Sequence, residues 1–421
     1  MSKSNLKQLL SVEKYIRKQS KNNVFELSHC FHKRTQLAIV IPAYKESIQD
    51  ITAVLNSLQQ QETDSNFQVI LVVNHSSDET NEIKNHHERF VQEIGLAFET
   101  NLSLNIISAF NLNPKKAGVG LARKIGMDAA LQQFYLLGTN GIISCLDADS
   151  PVSHDYVNQI IKFFSTNKEV AVSINFEHPL SEDLPIDHRN AITDYELHLR
   201  YYIHIQQHFG LPYAIQTVGS ALAVRAWDYA GEGGMPQLQA GEDFYFLQKY
   251  ISKSKCGEIC NPLVFPSGRT SNRVPFGTGK AVNDILSSNA PYESYQIDSF
   301  LLLKTFINLI FESYPKELDI NKLQDYPLYF YFENLNIASK YQELLQNTTT
   351  KELFQSRFYQ WFDAFKLMKY LHFMRDQKYP NKLILEVVNE FQNLKAGKIR
   401  FDSNLKALKY YRELDRLGKK G

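Results

Sequence analysis

Four cysteines in 421 residues are too few for a disulfide framework. Cys256 and Cys260 lie four apart without a second pair or a neighbouring histidine to complete a zinc set, so all four are expected to be structural and the setting to be a reducing cytoplasm. Charge of either sign is also lacking in surplus: 46 Lys and Arg stand against 45 Asp and Glu, so no global field marks nucleic acid as a partner. No stretch reaches 18 consecutive apolar residues, and the nearest, 300–311, is broken by Lys304, Thr305 and Asn308, which argues against a membrane-spanning helix. The polar residues 1–23 lack the apolar core of a secretory signal and are expected to form a short amphipathic lead-in helix. Internal repeats and low-complexity segments are missing as well.

What is present is an alternation. Short apolar runs rich in Val and Ile occupy residues 37–41, 67–73, 104–109, 142–146 and 170–174, the composition of parallel strands buried on both faces. Between the first two, Ile51, Val54, Leu55 and Leu58 recur at helical spacing behind Ser47, a capping residue, with Asp50 three positions on. Further helices are expected after Asp78, over 117–135 and 191–209, and from Glu242. Such alternation predicts a mostly parallel α/β sheet with flanking helices and right-handed crossovers, whose ligands sit beyond the carboxyl ends of the strands. From about residue 291 the strand signal stops and helical periodicity, in four or five helices, runs to Leu417. The expected organisation is a lead-in over 1–35, an α/β domain over 36–290 and an all-helical domain over 291–421.

The sharpest chemical signal is Asp147-Ala148-Asp149, directly after the buried run 142–146. Two carboxylates one residue apart at a strand end offer hard oxygen ligands to Mn²⁺ or Mg²⁺, which could share its coordination with a diphosphate. A solvated turn would read the same in isolation.

Taken together, Val40-Ile41-Pro42-Ala43-Tyr44-Lys45-Glu46, Val72-Val73-Asn74-His75-Ser76-Ser77-Asp78, Gly120-Leu121-Ala122-Arg123-Lys124-Ile125-Gly126 and Leu146-Asp147-Ala148-Asp149 resemble, in order and spacing, the family-two glycosyltransferases of the GT-A fold. Gly233-Gly234-Met235 followed by Gly241-Glu242-Asp243 is similar to that family's glycine pair and acidic catalytic motif, and the likeness covers about residues 36–285. The resemblance implies a hexosyltransferase-like enzyme that moves a sugar from a nucleotide diphosphate donor, with inversion as the default. Pro42, Tyr44, Glu46, Asn74, Arg123, Asp147 and Asp149 would border the donor, and Asp147 and Asp149 would hold the metal. Asp243 would be the general base, with Glu242 orienting it or the acceptor. Helix N-terminal acidity alone would also explain that pair. Asn74 stands where the family usually has Asp, and an amide both donates and accepts, which alters the expected base contact.

Residues 266–280 combine Arg269, Arg273 and Lys280 with glycines and hydroxyls, a set suited to wrapping a diphosphate or an anionic acceptor, or else a rigid Pro/Gly crossover. The Gln-x-x-Arg-Trp motif of the family's processive members is absent here, which implies single transfer. Gly219, Gly234 and His198, the last in a polar, aromatic helical stretch, are acceptor-side candidates. Lys115 and Lys116 are expected on a solvated face, Lys124 stands where the family commonly has Asn, and His204 and His208 are expected as core or surface histidines. The acceptor class stays open among small molecules, glycans and lipid-linked molecules. A basic C-terminus including Lys398, Lys406, Lys409, Arg412, Arg416, Lys419 and Lys420 would suit peripheral contact with an anionic membrane. The competing readings are a sugar-phosphate nucleotidyltransferase, which would generally open with a glycine-rich phosphate loop after the first strand, and a non-catalytic nucleotide-sugar-binding protein.

Overall fold

The computed structural model describes residues 3–19, 25–98, 102–271, 277–288, 290–395 and 399–418. It divides the chain into two compact units, Met1–Pro179 with Ile215–Ala281, and Leu180–Ala214 with Val282–Gly421. This differs from a cut near residue 290. The N-terminal helix belongs to the first unit, and the residues around the predicted helix 191–209 group with the C-terminal helices.

The first unit begins with α1 (Lys3–Gln19), β1 (Thr35–Ala43), α2 (Ile48–Gln59), β2 (Asn66–Ser76), α3 (Asn81–Phe98), β3 (Leu104–Leu112), α4 (Val119–Leu136), β4 (Ile142–Cys145), α5 (Tyr156–Thr166) and β5 (Ala171–Phe176). After α6 (Ile186–His208), which lies in the second unit, it resumes with β6 (Leu222–Arg225), α7 (Ala226–Gly231), α8 (Glu242–Ile251) and β7 (Cys256–Val264). The seven strands form one sheet in the order β3-β2-β1-β4-β6-β5-β7. β1 pairs in parallel with β2 and β4, β2 with β3, and β5 with β7. Only β6 runs antiparallel, between β4 and β5.

The apolar runs explain this sheet. Leu37–Ile41 and Val69–Val73 are buried without interruption because helices cover both faces. α2 turns Ile51, Val54, Leu55 and Leu58 inward, and Ser47 caps it by accepting from the Asp50 N–H at 3.0 Å while its hydroxyl donates back to that carboxylate at 2.8 Å. α4 lies close on the sheet at Gly126, where a methyl would fall 2.9 Å from Val72 Cγ2. β6 was hidden in a small-residue segment, and β7 carries Pro262 and two register shifts, so neither shows the strand pattern in sequence.

The second unit holds α6, α9 (Thr278–Ser288) from Val282 onward, β8 (Glu293–Ser294), α10 (Ile297–Ser313), α11 (Asn321–Gln324), α12 (Tyr329–Asn334), α13 (Ile337–Gln346), α14 (Lys351–Trp361), α15 (Ala364–Gln377), β9 (Lys382–Leu383), α16 (Ile384–Leu394) and α17 (Asn404–Arg416). The helical C-terminal region is thus more finely divided than four or five helices, and two two-residue strands pair within it. Its core mixes aromatic and aliphatic side chains: Phe306, Phe332, Phe354, Phe358 and Phe362 are fully buried together with Ile307, Ile310, Leu367, Leu371, Tyr370 and Tyr411. Across α6 and α17 runs a charged network. Glu196 accepts from Arg200 at 2.7 and 2.9 Å and from Arg412 at 2.6 and 2.8 Å, while Asp415 pairs with Arg200 and, at 2.6 Å, with His204. Among the described residues no helix is long and apolar enough to cross a membrane.

Candidate active site

Strand β4 ends at Cys145, and the chain leaves it as Leu146-Asp147-Ala148-Asp149. Ala148 is buried, so the two aspartates turn to the open side of the strand end. Asp147 meets the guanidinium of Arg123, which α4 delivers from the opposite direction. Arg123 is only 3% exposed, and its other terminal nitrogen reaches Glu242, itself buried at the start of α8. Gly219 leaves the space for this fork: a methyl there would stand 2.7 Å from Arg123 Cζ. Arg123 Nε has no hydrogen-bond partner, so one donor of a buried guanidinium is unused.

Asp243 follows Glu242 and is half-buried, one carboxylate oxygen accepting from the Phe244 N–H at 2.7 Å. Its carboxyl is pushed above the ordinary aspartate range, first by burial and also by Asp147, against the pull of Arg123 and the Phe244 N–H. Arg123 is held above its own ordinary value although burial alone would lower it, because Asp147 and Asp243 both face it. Asp147, Asp243 and Glu242 therefore gather on one arginine. α8 is launched by Gly241 at φ +75, a left-handed conformation that suits glycine.

A second arginine organises the other side. Arg269 pairs with Glu46, donates to Asp50 Oδ2 at 2.7 Å, and lies with Nε 2.8 Å from Asp149 Oδ2. Its loop is tied to the aspartate turn by a Ser267 N–H bond to the Asp149 carbonyl at 3.1 Å. Lys280 is half-buried at the start of α9, and Arg273 lies outside the described residues. Six carboxylates (Glu46, Asp50, Asp147, Asp149, Glu242, Asp243) thus face two guanidiniums, a surplus of negative charge at a strand end that favours a cation.

Pro42 and Tyr44 close β1. Tyr44 donates to Glu79 at 2.6 Å, Lys45 sits at φ 54, and its N–H donates to His87 Nε2 at 3.1 Å. His87 in turn lies 3.2 Å, Nδ1 to Nδ1, from His75. Because His87 Nε2 accepts from Lys45, its Nδ1 carries the proton and donates to His75. Burial, then the neighbouring imidazoles, lower His87 to about 4, so its ring is neutral at physiological pH, and burial lowers His75 as well. Asn74 is buried beside them at the end of β2. The histidine pair escaped the sequence reading, although His75 sits inside the quoted segment and His86-His87 could have signalled it.

Other candidates fall elsewhere. Gly234, at φ +74, faces α1: a methyl there would stand 2.9 Å from Tyr15 Cζ. Tyr15 and Tyr229 both donate to Asp128 Oδ1, at 2.8 and 2.7 Å. Lys124 is buried, donating to Tyr15 at 2.6 Å and Asp128 at 2.8 Å, because α1 covers that side of α4. Lys115 and Lys116 are exposed, as expected. His198 is in the second unit, 2.8 Å from the Ser294 hydroxyl and lowered by burial to about 4. Of the C-terminal cations, Arg412 is engaged by Glu196, and Lys398, Lys419 and Lys420 lie outside the described residues.

An open, mostly parallel sheet with paired aspartates at a strand tip and an acidic helix start beside them is the arrangement of an α/β domain whose ligand site lies beyond the carboxyl ends of its strands. Residues 38–228 match the family described as "Glycosyl transferase family 2". No curated protein matches the chain at a significant level. Among solved structures, residues 1–349 of S. aureus TarS are similar at 16% identity over 56% of this chain and 61% of that one, with a TM-score of 0.37. The same protein in complex with UDP-GlcNAc is similar at 15% identity over 64% and 66%, TM-score 0.39. The mannosyltransferase PcManGT from Pyrobaculum calidifontis, in complex with GDP-Man and Mn²⁺, is similar at 12% identity over 99% and 95%, TM-score 0.36. This chain spans about three fifths of the first of these structures, and at such similarity no residue role passes from them to it.

Proposed function

We propose that the chain is a metal-dependent glycosyltransferase that takes a sugar from a nucleotide diphosphate donor and gives it, with inversion, to an acceptor hydroxyl. The observation that carries this reading is the convergence of Asp147, Glu242 and Asp243 on the buried Arg123, in a chain that matches glycosyl transferase family 2 over residues 38–228.

Asp147 and Asp149 would hold Mn²⁺ or Mg²⁺. Their hard oxygens and the local excess of carboxylates fit such an ion. The described residues contain no group of three or more His, Cys, Asp or Glu that could hold a metal, so the remaining ligands would come from the diphosphate and water. When bound, the ion neutralises charge developing on the leaving diphosphate. Arg123, with its unused Nε, and Arg269 are placed to exchange carboxylate partners for phosphate oxygens. Asp243 takes the proton of the acceptor hydroxyl, and its raised pKa makes it the better base once ionised. Glu242 fixes Arg123 rather than touching the acceptor. Pro42, Tyr44, Glu46 and Asn74 border the nucleotide. The turn after β1 carries side-chain anchors, Tyr44 on Glu79 and Glu46 on Arg269, in place of a glycine-rich phosphate loop, which speaks against nucleotidyl transfer.

A panel of UDP-, GDP- and dTDP-sugars with manganese or magnesium, scored by nucleotide release, tests this. One donor is expected to be turned over slowly even without acceptor, and Asp149→Ala is expected to reduce that release at least about a hundredfold, the range of a lost charge-stabilising group. Release that is unchanged by chelation or by Asp149→Ala would sink the proposal.

A further inference from the structure

Two consecutive histidines of α3 grip the turn between β1 and α2. Lys45, in that turn, has φ 54, a left-handed conformation that a lysine keeps only where its surroundings enforce it. His87 Nε2 accepts the Lys45 N–H at 3.1 Å, and His86 Nε2 lies 3.1 Å from the Glu46 carbonyl, to which it can only donate. One ring accepts and its neighbour donates, so the backbone is fixed on both sides of residues 45 and 46.

His87 is itself held in place. Its Nδ1 lies 3.2 Å from Nδ1 of His75, whose ring is stacked on Phe110 of β3 at 4.4 Å and 16° and is hydrogen-bonded to Asn111. A directional chain therefore runs from the Lys45 N–H through His87 to His75 and the end of β3. Burial first, then His75 and His86, keeps His87 unprotonated, which preserves Nε2 as an acceptor. His75 and His87 are only 2% and 1% exposed, so neither has surface to offer a ligand; what they reach is the backbone between Tyr44 and Glu46. Apolar side chains would fill the same space without burying ring nitrogens, but they could not orient a peptide group.

We propose that His87 and His86 are positioning residues for donor binding: they hold residues 44–46 in the shape that sets Tyr44 and Glu46 against the nucleotide, and His75 fixes the His87 tautomer that does so. This rests on the donor reading of Tyr44 and Glu46 given above.

Calorimetric titration of the full chain with UDP, GDP and dTDP in the presence of manganese first identifies the nucleotide that the parent binds tightest. His87→Phe, which fills the ring's space without a nitrogen, is expected to weaken that nucleotide about tenfold, and His87→Gln, whose amide oxygen can reach the Lys45 N–H, at most about threefold. His86→Ala, at a half-buried position that tolerates truncation, is expected to weaken it about fourfold and carries the test should thermal unfolding show that His87→Phe does not fold. In steady-state release of that nucleotide from its sugar, the loss is expected in KM, with kcat within about twofold of the parent, as when ground-state binding is removed. Equal affinity of parent, His87→Phe and His86→Ala overturns the proposal and leaves the donor reading standing, as does a loss confined to kcat or a His87→Gln as weak as a folded His87→Phe. If none of the three nucleotides binds the parent, the donor reading fails and takes the histidine grip with it.

Discussion

Gly219 shows how one residue's identity can be dictated by a side chain far away in sequence. Nothing near it in the chain asks for glycine, since its backbone is not in the left-handed region; the demand comes from the Arg123 guanidinium lying against it. A methyl group at that point displaces the fork that joins Asp147 to Glu242. Gly219→Ala is therefore expected to lower kcat/KM with the preferred donor at least about tenfold, the scale of one charged hydrogen bond, and, because it disturbs a buried ion pair, to lower the denaturant midpoint as well; a steady-state titration and a urea melt check the two halves. The same locality limits what sequence can show. Asp147, Asp149 and Asp243 were legible because a strand end and a helix start announce themselves, whereas the partnership of Arg269 with Asp50, Glu46 and Asp149 is a tertiary fact with no local signal.

At the level of elements, α1 is more than a lead-in. Its Tyr15 occupies the space beside Gly234 and donates to Asp128, which also receives Lys124 and Tyr229, so α1, α4 and α7 are joined through one carboxylate. Tyr15→Phe is expected to reduce stability by about 1 kcal/mol, measured by chemical denaturation. In the second unit, α17 is held to α6 by Glu196, Arg200, His204, Arg412 and Asp415. Burial would raise the Asp415 carboxyl, but His204 and Arg200 outweigh it and hold it below the ordinary range. A depressed folded value stabilises above the unfolded one, about 4, and that stabilisation is lost as pH falls through the folded value. Asp415→Asn is thus expected to be less stable than the parent at pH 7 and to lose less on acidification, seen in denaturant midpoints at neutral and acid pH. Strands β1 to β5 were readable from their apolar runs. β6 and β7 were not, the first being four residues among small ones and the second interrupted by Pro262.

For the molecule as a whole, composition signalled a change of character near residue 290 but not the ownership of α6. That helix reads as one more amphipathic crossover, and only the pairing of its buried Glu196 and Arg200 with Arg412 and Asp415 shows that its partners lie beyond Val282. A fragment of residues 291–421 leaves Arg412 and Asp415 without those partners and leaves exposed the apolar surface that α6 covers. It is expected to lack a cooperative thermal transition by circular dichroism, whereas residues 180–214 supplied on the same chain restore one; breaking a buried ion pair costs about 3–5 kcal/mol, a large share of a small domain's stability.

Because the second unit is assembled from two separated stretches, the backbone passes between the units at three places, after Pro179, after Ala214 and after Ala281. A protease that severs any single one of these passages leaves both halves still covalently tethered, so the halves stay at the high effective concentration of an intramolecular pair even after damage that would sever a beads-on-a-string enzyme.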